Sequence, residues 1–221
     1  SADLHFACYS DIHGWGGALT AASGLIAASR ERRMSTLLLG TSAVPSDPPD
    51  AAPDPPGRNL QLARSPLFWR LQSWQVAAQL QRQLRRLTPP RRAFVALSPH
   101  WVIAAKRAWR DVPVVYVFPC LLSHCLPFTW PRRRPTTLWK WLDFAGIRHA
   151  EHTAFDLADL VLLPTEQARQ EIVAFHAGVR QRTKVCAYGC EPATRNEDLR
   201  TAQRRVLGLP ADARVLLAVG V

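Results

Sequence analysis

Three glycines, Gly14, Gly16 and Gly17, stand between a short apolar run, Leu4-His5-Phe6-Ala7-Cys8-Tyr9, and an Ala-rich stretch that reaches Arg33. Glycine at the handover from strand to helix leaves backbone N–H groups uncovered and lets a ligand approach closely. The helix N-terminus behind it attracts negative charge. A phosphate site and a plain tight turn are both compatible with this loop. The dinucleotide fingerprint is not met, because position 19 is Leu where a third Gly is required, and no Gly-Lys-Ser/Thr follows to make a P-loop. His13 lies in the same loop, and His100 follows a later apolar run. An imidazole at either place can hydrogen-bond a ligand, exchange a proton, or pack and cap locally.

Two other groupings offer chemistry. Cys120, His124 and Cys125 lie close in sequence, with Cys186 and Cys190 farther on. Zinc asks for four ligands and tighter C-x-x-C spacing, so no metal is expected. Cys120 also lacks a recognisable base and orienting partner for nucleophilic work. The stretch Leu126–Leu142 interleaves Trp130, Trp139 and Trp141 with Arg132, Arg133 and Arg134. Nucleic-acid binders use that mixture to stack bases and pair phosphates. Membrane-surface segments use it to seat Trp at the interface and Arg at anionic headgroups. A solvated loop followed by a helix with inward Trp residues is the third reading.

The elements that must position these residues follow from apolar periodicity. Continuous apolar runs predict strands at 4–9, 36–40, 93–97, 114–118, 160–163, 183–188 and 214–220. Leu19, Ala22, Leu25 and Ile26 have helical spacing. Ser65-Pro66 starts a helix that runs to about Leu87, with Leu67, Leu71, Trp74, Ala78, Leu80 and Leu84 inward and Arg82, Arg85 and Arg86 outward. Ser98-Pro99 starts another through Trp109, and a third reaches about Leu157. Thr165 caps the next, with Gly178 just past its end; Thr194 and Glu197 stand at capping-box spacing before a helix that Gly208 closes. Residues 43–57 carry six prolines and predict a surface loop. Strand and helix alternate almost throughout, and the strands lack polar alternation. That is the pattern of an α/β, doubly wound parallel sheet of the Rossmann-like kind.

Composition sets the outer limits. The chain has 221 residues, 48% hydrophobic and 20% charged, which suits a folded globular chain and excludes global disorder. Lys+Arg is 28 against 17 Asp+Glu, a formal charge of +11. That favours an anionic partner, although Arg excess with scarce Lys also arises from genomic bias. No apolar run reaches the ~18 residues of a transmembrane helix. Ser1-Ala2-Asp3-Leu4-His5 has no basic flank and no long apolar core, so it does not read as a signal peptide. Five cysteines in a chain this long read as reduced thiols of a cytosolic protein.

Taken together, these segments resemble the family 4 glycosyltransferases, retaining enzymes of the two-Rossmann GT-B fold. His13-Gly14-Trp15-Gly16-Gly17-Ala18 is similar to the family's glycine loop after strand one, and Ser98-Pro99-His100-Trp101 to its His-containing segment. Asp111 to Val117 resembles the family's G-x-P-x-V strand. Glu151 with Ala158-Asp159-Leu160-Val161-Leu162-Leu163-Pro164-Thr165 resembles its E…AD-x-V-x-x-x-S stretch. Lys184 to Pro192 is similar to the hinge, and Arg205 to Gly220 to the beginning of the donor domain. The family usually has Asn-Gly-Val-Asp at the hinge, where this chain has Tyr188-Gly189-Cys190-Glu191. It often has a His where this chain has Phe118-Pro119, and His124 is near enough in sequence to substitute.

The resemblance implies an acceptor-side N-terminal domain over 1–190, then a hinge and the truncated start of a donor-binding domain over 191–221. It implies sugar transfer from a nucleotide sugar to an acceptor hydroxyl without a metal or other cofactor, this piece alone being inactive. Gly14, Gly16 and Gly17 would meet the donor's phosphate and sugar. His100 would be the catalytic-side residue lining the acceptor. Trp130, Arg132, Arg133 and Arg134 would contact the acceptor or a membrane. The acceptor would be a glycan, a lipid-linked or a small molecule. The protein would be cytoplasmic, with peripheral contact at an anionic inner membrane face left open. No nucleic acid is expected, although a non-catalytic basic domain binding nucleic acid is the alternative that the charge of +11 supports.

Overall fold

Leu4–Ala7 forms β1, and every other strand is placed relative to it. The computed structural model describes residues 2–8, 17–42, 57–61, 72–118, 137–187, 197–206, 208 and 210. After β1 come α1 (Gly17–Glu31), β2 (Thr36–Ser42), β3 (Gly57–Gln61), α2 (Gln72–Leu84), β4 (Ala93–Ala96), α3 (Pro99–Ala108) and β5 (Val114–Val117). Then follow α4 (Thr137–Leu157), β6 (Leu160–Leu163), α5 (Glu166–Phe175), a 3₁₀ helix (Ala177–Arg182), β7 (Thr183–Val185) and α6 (Glu197–Val206). The strands form one sheet in the order β3-β2-β1-β4-β5-β6-β7, and all pairings are parallel.

The apolar runs become buried strands because both sheet faces are covered. Successive side chains point to opposite faces. Phe6, Cys8, Leu38, Val95, Leu97 and Val117 cluster with Ala22 and Ile26 of α1. Their neighbours Ala7, Leu39, Phe94, Ala96, Tyr116 and Leu163 cluster on the other face with residues of α2, α3, α4 and α5. The division follows from right-handed crossovers. From β1 the chain steps one way to β2, and from β4 it steps the other way to β5, so the connecting helices fall on opposite faces. This is the α/β, doubly wound, Rossmann-like architecture read from the sequence.

The structure corrects several local expectations. Gly57 opens a strand instead of ending a loop. β3 is an edge strand held by backbone pairing to β2 (Leu38↔Gly57 to Ser42↔Gln61), and its sequence Gly-Arg-Asn-Leu-Gln has one buried apolar anchor, Leu60. No apolar periodicity announces such a strand. β7 stops at Val185, short of Tyr188. α5 ends at Phe175 with His176 as its C-cap, so Gly178 lies inside the 3₁₀ helix rather than just past α5. In α2 the buried face is Val76, Ala77, Leu80 and Leu84, with Ala78 half-buried. The start of that helix at Ser65-Pro66, the Thr194 cap and the strand at 214–220 lie outside the described residues.

The chain divides into two compact units, Ser1–Tyr188 and Gly189–Val221. The whole sheet belongs to the first. In the second, α6 is followed by Gly208, whose φ of 65° lies in the left-handed region that a glycine adopts without strain. Its N–H donates to the Arg205 carbonyl at 3.2 Å, closing the helix as the sequence suggested.

Candidate functional site

The strand order reverses between β1 and β4, and in open parallel sheets the crevice beyond the carboxyl ends at that reversal is where ligands bind. Two helix N-termini face this edge. α1 begins at Gly17, the last glycine of the loop; Gly14, Gly16 and His13 lie outside the described residues. α3 begins at Pro99, with Ser98 as N-cap in extended conformation (φ −150°, ψ 156°). Pro at the first helical position costs nothing, because its missing N–H would be unpaired there anyway.

The two strand exits are locked together. The Leu97 N–H donates to the Ala7 carbonyl at 2.8 Å, and the Cys8 N–H donates to the Leu39 carbonyl at 3.0 Å. The indole Nε1–H of Trp101 donates to the Cys8 carbonyl at 3.0 Å. Trp101 is fully buried and packs on Phe94 at a ring-centroid distance of 6.1 Å. The first turn of α3 is thereby fixed against the chain that enters the glycine loop.

His100 sits in that first turn and is 9% exposed. Burial lowers its pKa from 6.5 to about 4, so at neutral pH it is an uncharged imidazole. It can accept or donate a hydrogen bond or take up a developing proton, but it brings no standing positive charge. Ser98 is 5% exposed, and among the described residues its Oγ has no hydrogen-bond partner despite its capping position.

At the neighbouring strand end, Phe118 is buried and packs edge-on against Tyr116 (5.4 Å) and tilted against Phe155 of α4 (5.4 Å). Glu151 lies one helical turn before Phe155, toward the carboxyl edge, and is fully buried. Trp130, Arg132, Arg133, Arg134, Cys120, His124 and Cys125 lie outside the described residues, as do the side chains of Trp139 and Trp141. Among the described residues no group of three or more His, Cys, Asp or Glu is placed to hold a metal. Cys8 is buried and Cys186 exposed, both as thiols. No described helix is long and apolar enough to cross a membrane.

Sequence reading missed two polar assemblies. Asp159 Oδ2 accepts the Val114 N–H and the Lys106 ammonium, both at 2.7 Å, pinning the start of β6 to β5 and α3. His152 and His176 meet through their Nδ1 atoms at 2.9 Å, and His176 Nε2 donates to Asp156 at 2.8 Å. His152 also stacks on Phe175 at 4.2 Å. The i, i+4 spacing of His152 and Asp156 on α4 was visible, but His176 joins them only through the packing of α5. An open groove of about 510 Å³ runs along α5 and the 3₁₀ helix, lined by Arg169, Gln170, Val173, Ala174, Ala177 and Arg180, outside the strand reversal.

No family model and no curated protein matches the sequence. Solved structures do match its fold. Sucrose-phosphate synthase from Thermosynechococcus elongatus is similar with a TM-score of 0.64 at 13% identity, over 95% of this chain and 53% of that one. HepE from Anabaena, solved with UDP and glucose, is similar with a TM-score of 0.56 at 18% identity, over 94% of this chain and 50% of that one. UGT2 from Phytolacca americana is similar with a TM-score of 0.51 at 14% identity, over 92% and 55%. The chain therefore spans about half the length of the solved structures it matches, and shares its fold with GT-B glycosyltransferases.

Proposed function

We propose that this chain is the acceptor-side half of a glycosyltransferase that moves a sugar from a nucleotide sugar to an acceptor hydroxyl. The observation that carries the reading is the reversal of strand order between β1 and β4, where the Trp101 indole ties α3 to the exit of β1. HepE, a fold neighbour, was solved with UDP and glucose, which supports a nucleotide-sugar donor.

In this reading Gly14, Gly16 and Gly17 let the donor's phosphate and sugar approach the start of α1, whose N-terminal dipole favours the charge growing on the departing diphosphate. His100, uncharged at neutral pH, lines the acceptor side and hydrogen-bonds the attacking hydroxyl. Trp130 and Arg132, Arg133 and Arg134 extend the acceptor contact beyond β5. Transfer proceeds with retention and without a metal. Residues 1–190 form the acceptor domain, and 191–221 lead into a donor-binding domain.

The full-length protein, assayed for nucleoside diphosphate release against a panel of nucleotide sugars and acceptors, tests this directly. The expected result is turnover with one donor class, and none by the 221-residue chain alone, because half a cleft cannot hold the transition state. Equal turnover by the short chain would overturn the half-site reading. Failure of the full-length protein to bind any nucleotide sugar would overturn the glycosyltransferase reading itself.

A further inference from the structure

The sheet's amino edge, opposite the crevice, carries a dense set of arginines. β1, β2 and β4 begin in register, with Leu4 paired to Thr36 and to Ala93. The residues just before them are laced together: the Asp3 N–H donates to the Ser35 carbonyl (3.0 Å), and the Arg91 and Arg92 N–H groups donate to the carbonyls of Ala2 (3.0 Å) and Asp3 (2.9 Å). The Phe94 N–H donates to the Pro113 carbonyl at 2.9 Å, which brings the α3–β5 connection to the same level. Crossover helices run antiparallel to the strands, so α1, α2 and α3 all end here.

Those ends carry Arg30 in the last turn of α1 with Arg32 and Arg33 just beyond it, then Arg82, Arg85 and Arg86 at the end of α2. Arg107 and Arg110 stand at the end of α3, and Arg91 and Arg92 precede β4. All ten are exposed. Gln81 and Arg85 donate to the Arg107 carbonyl, joining the α2 and α3 groups into one field. The acidic residues of this edge are Asp3, Glu31, Asp111 and Asp159. Ser35 and Arg92 engage Asp3, and Lys106 engages Asp159. Part of this charge complements the negative ends of the helix dipoles. That need is met by one or two cations per helix, and the set here exceeds it.

We propose that this edge docks the protein on a membrane surface rich in anionic phospholipid. The field spreads across both helical layers of the sandwich, since α1 lies on one face of the sheet and α2 and α3 on the other. It is therefore an area rather than a stripe, which suits a plane of headgroups better than a rod of duplex. Guanidinium groups pair phosphates through two parallel hydrogen bonds. No large exposed apolar side chain lies among the described residues of this edge, and Trp109 turns inward against His5 (5.9 Å) and Phe94 (5.8 Å). The edge thus offers no platform for stacking nucleic-acid bases. Docking is electrostatic, reversible and salt-sensitive, and it leaves the carboxyl-edge crevice facing solution.

Flotation of the full-length protein with vesicles of phosphatidylglycerol and phosphatidylcholine in equal parts, in about 0.05 M and about 0.5 M salt, tests the proposal. Binding is expected at low salt, lost at high salt and absent with phosphatidylcholine alone. Combined Arg82→Gln, Arg85→Gln, Arg86→Gln, Arg107→Gln and Arg110→Gln should weaken it about tenfold or more. Circular dichroism checks the fold of that variant, and Arg91→Gln with Arg92→Gln provides a milder, independent one. Unchanged flotation of both amino-edge variants overturns the proposal. So does wild-type protein that ignores vesicles yet binds duplex DNA at the same salt, which would assign the edge to nucleic acid.

Discussion

Trp101 donates its indole N–H to the carbonyl of Cys8 at 3.0 Å, across 93 positions of sequence. This one bond joins the first turn of α3 to the last described residue before the glycine loop. Both partners are buried, so the bond is shielded from competing water. It fixes the first turn of α3, which carries His100, against the chain that leaves β1.

Trp101→Phe removes the donor and keeps most of the ring. The Cys8 carbonyl then loses a buried partner, which costs about 1–3 kcal/mol. Urea unfolding should show that loss, and in the full-length protein the proposed sugar transfer should fall by more than the folded fraction explains. Equal stability of mutant and wild type would show the bond to be energetically idle.

Gly17→Val places a β-branched residue at the first position of α1. It stiffens the loop and blocks close approach to the helix N-terminus. Circular dichroism should remain native while nucleotide-sugar turnover falls about tenfold or more, on the scale of a misplaced reacting group. Unchanged turnover would reduce the glycines to a turn.

Two buried imidazoles make stability depend on pH. Burial lowers the pKa of His100 to about 4 and does the same for His5. The unfolded chain, near 6.5, binds more protons than the folded one between these values. Stability is therefore full above about pH 6.5 and falls as pH drops toward 4, each group withdrawing on the order of 3 kcal/mol at most. Urea midpoints measured between about pH 7 and about pH 5 should fall steadily, and His5→Phe should flatten the slope.

Asp159 is opposed by its burial, but the hydrogen bonds from Lys106 and the Val114 N–H outweigh that and hold its pKa below the usual carboxylate range. Its contribution is present above about pH 4 and is lost as pH falls below that. The carboxylate is half exposed, so the ion pair itself is discounted for solvent. Asp159→Asn and Lys106→Met should each cost about 1 kcal/mol, and the double mutant less than the sum. Strict additivity would mean that the two side chains do not interact energetically.

The sheet was legible because its strands are continuous aliphatic runs and its helices carry apolar faces at helical spacing; the Phe6 and Ile26 cluster and the Phe94 and Leu80 cluster follow from those patterns. β3 was not legible, since an edge strand held by backbone pairing needs only one buried anchor, Leu60. Composition marked the arginines as an excess without a place. Their convergence required parallel strands in register, with three helices ending at one edge. The candidate residues were also named in the sequence, where Gly17 and His100 stand 83 positions apart. Only the reversal of strand order brings their segments side by side. The sequence encodes local periodicity, whereas hydrogen bonds such as Trp101 to Cys8 form between segments that meet only after the crossovers have chosen their faces.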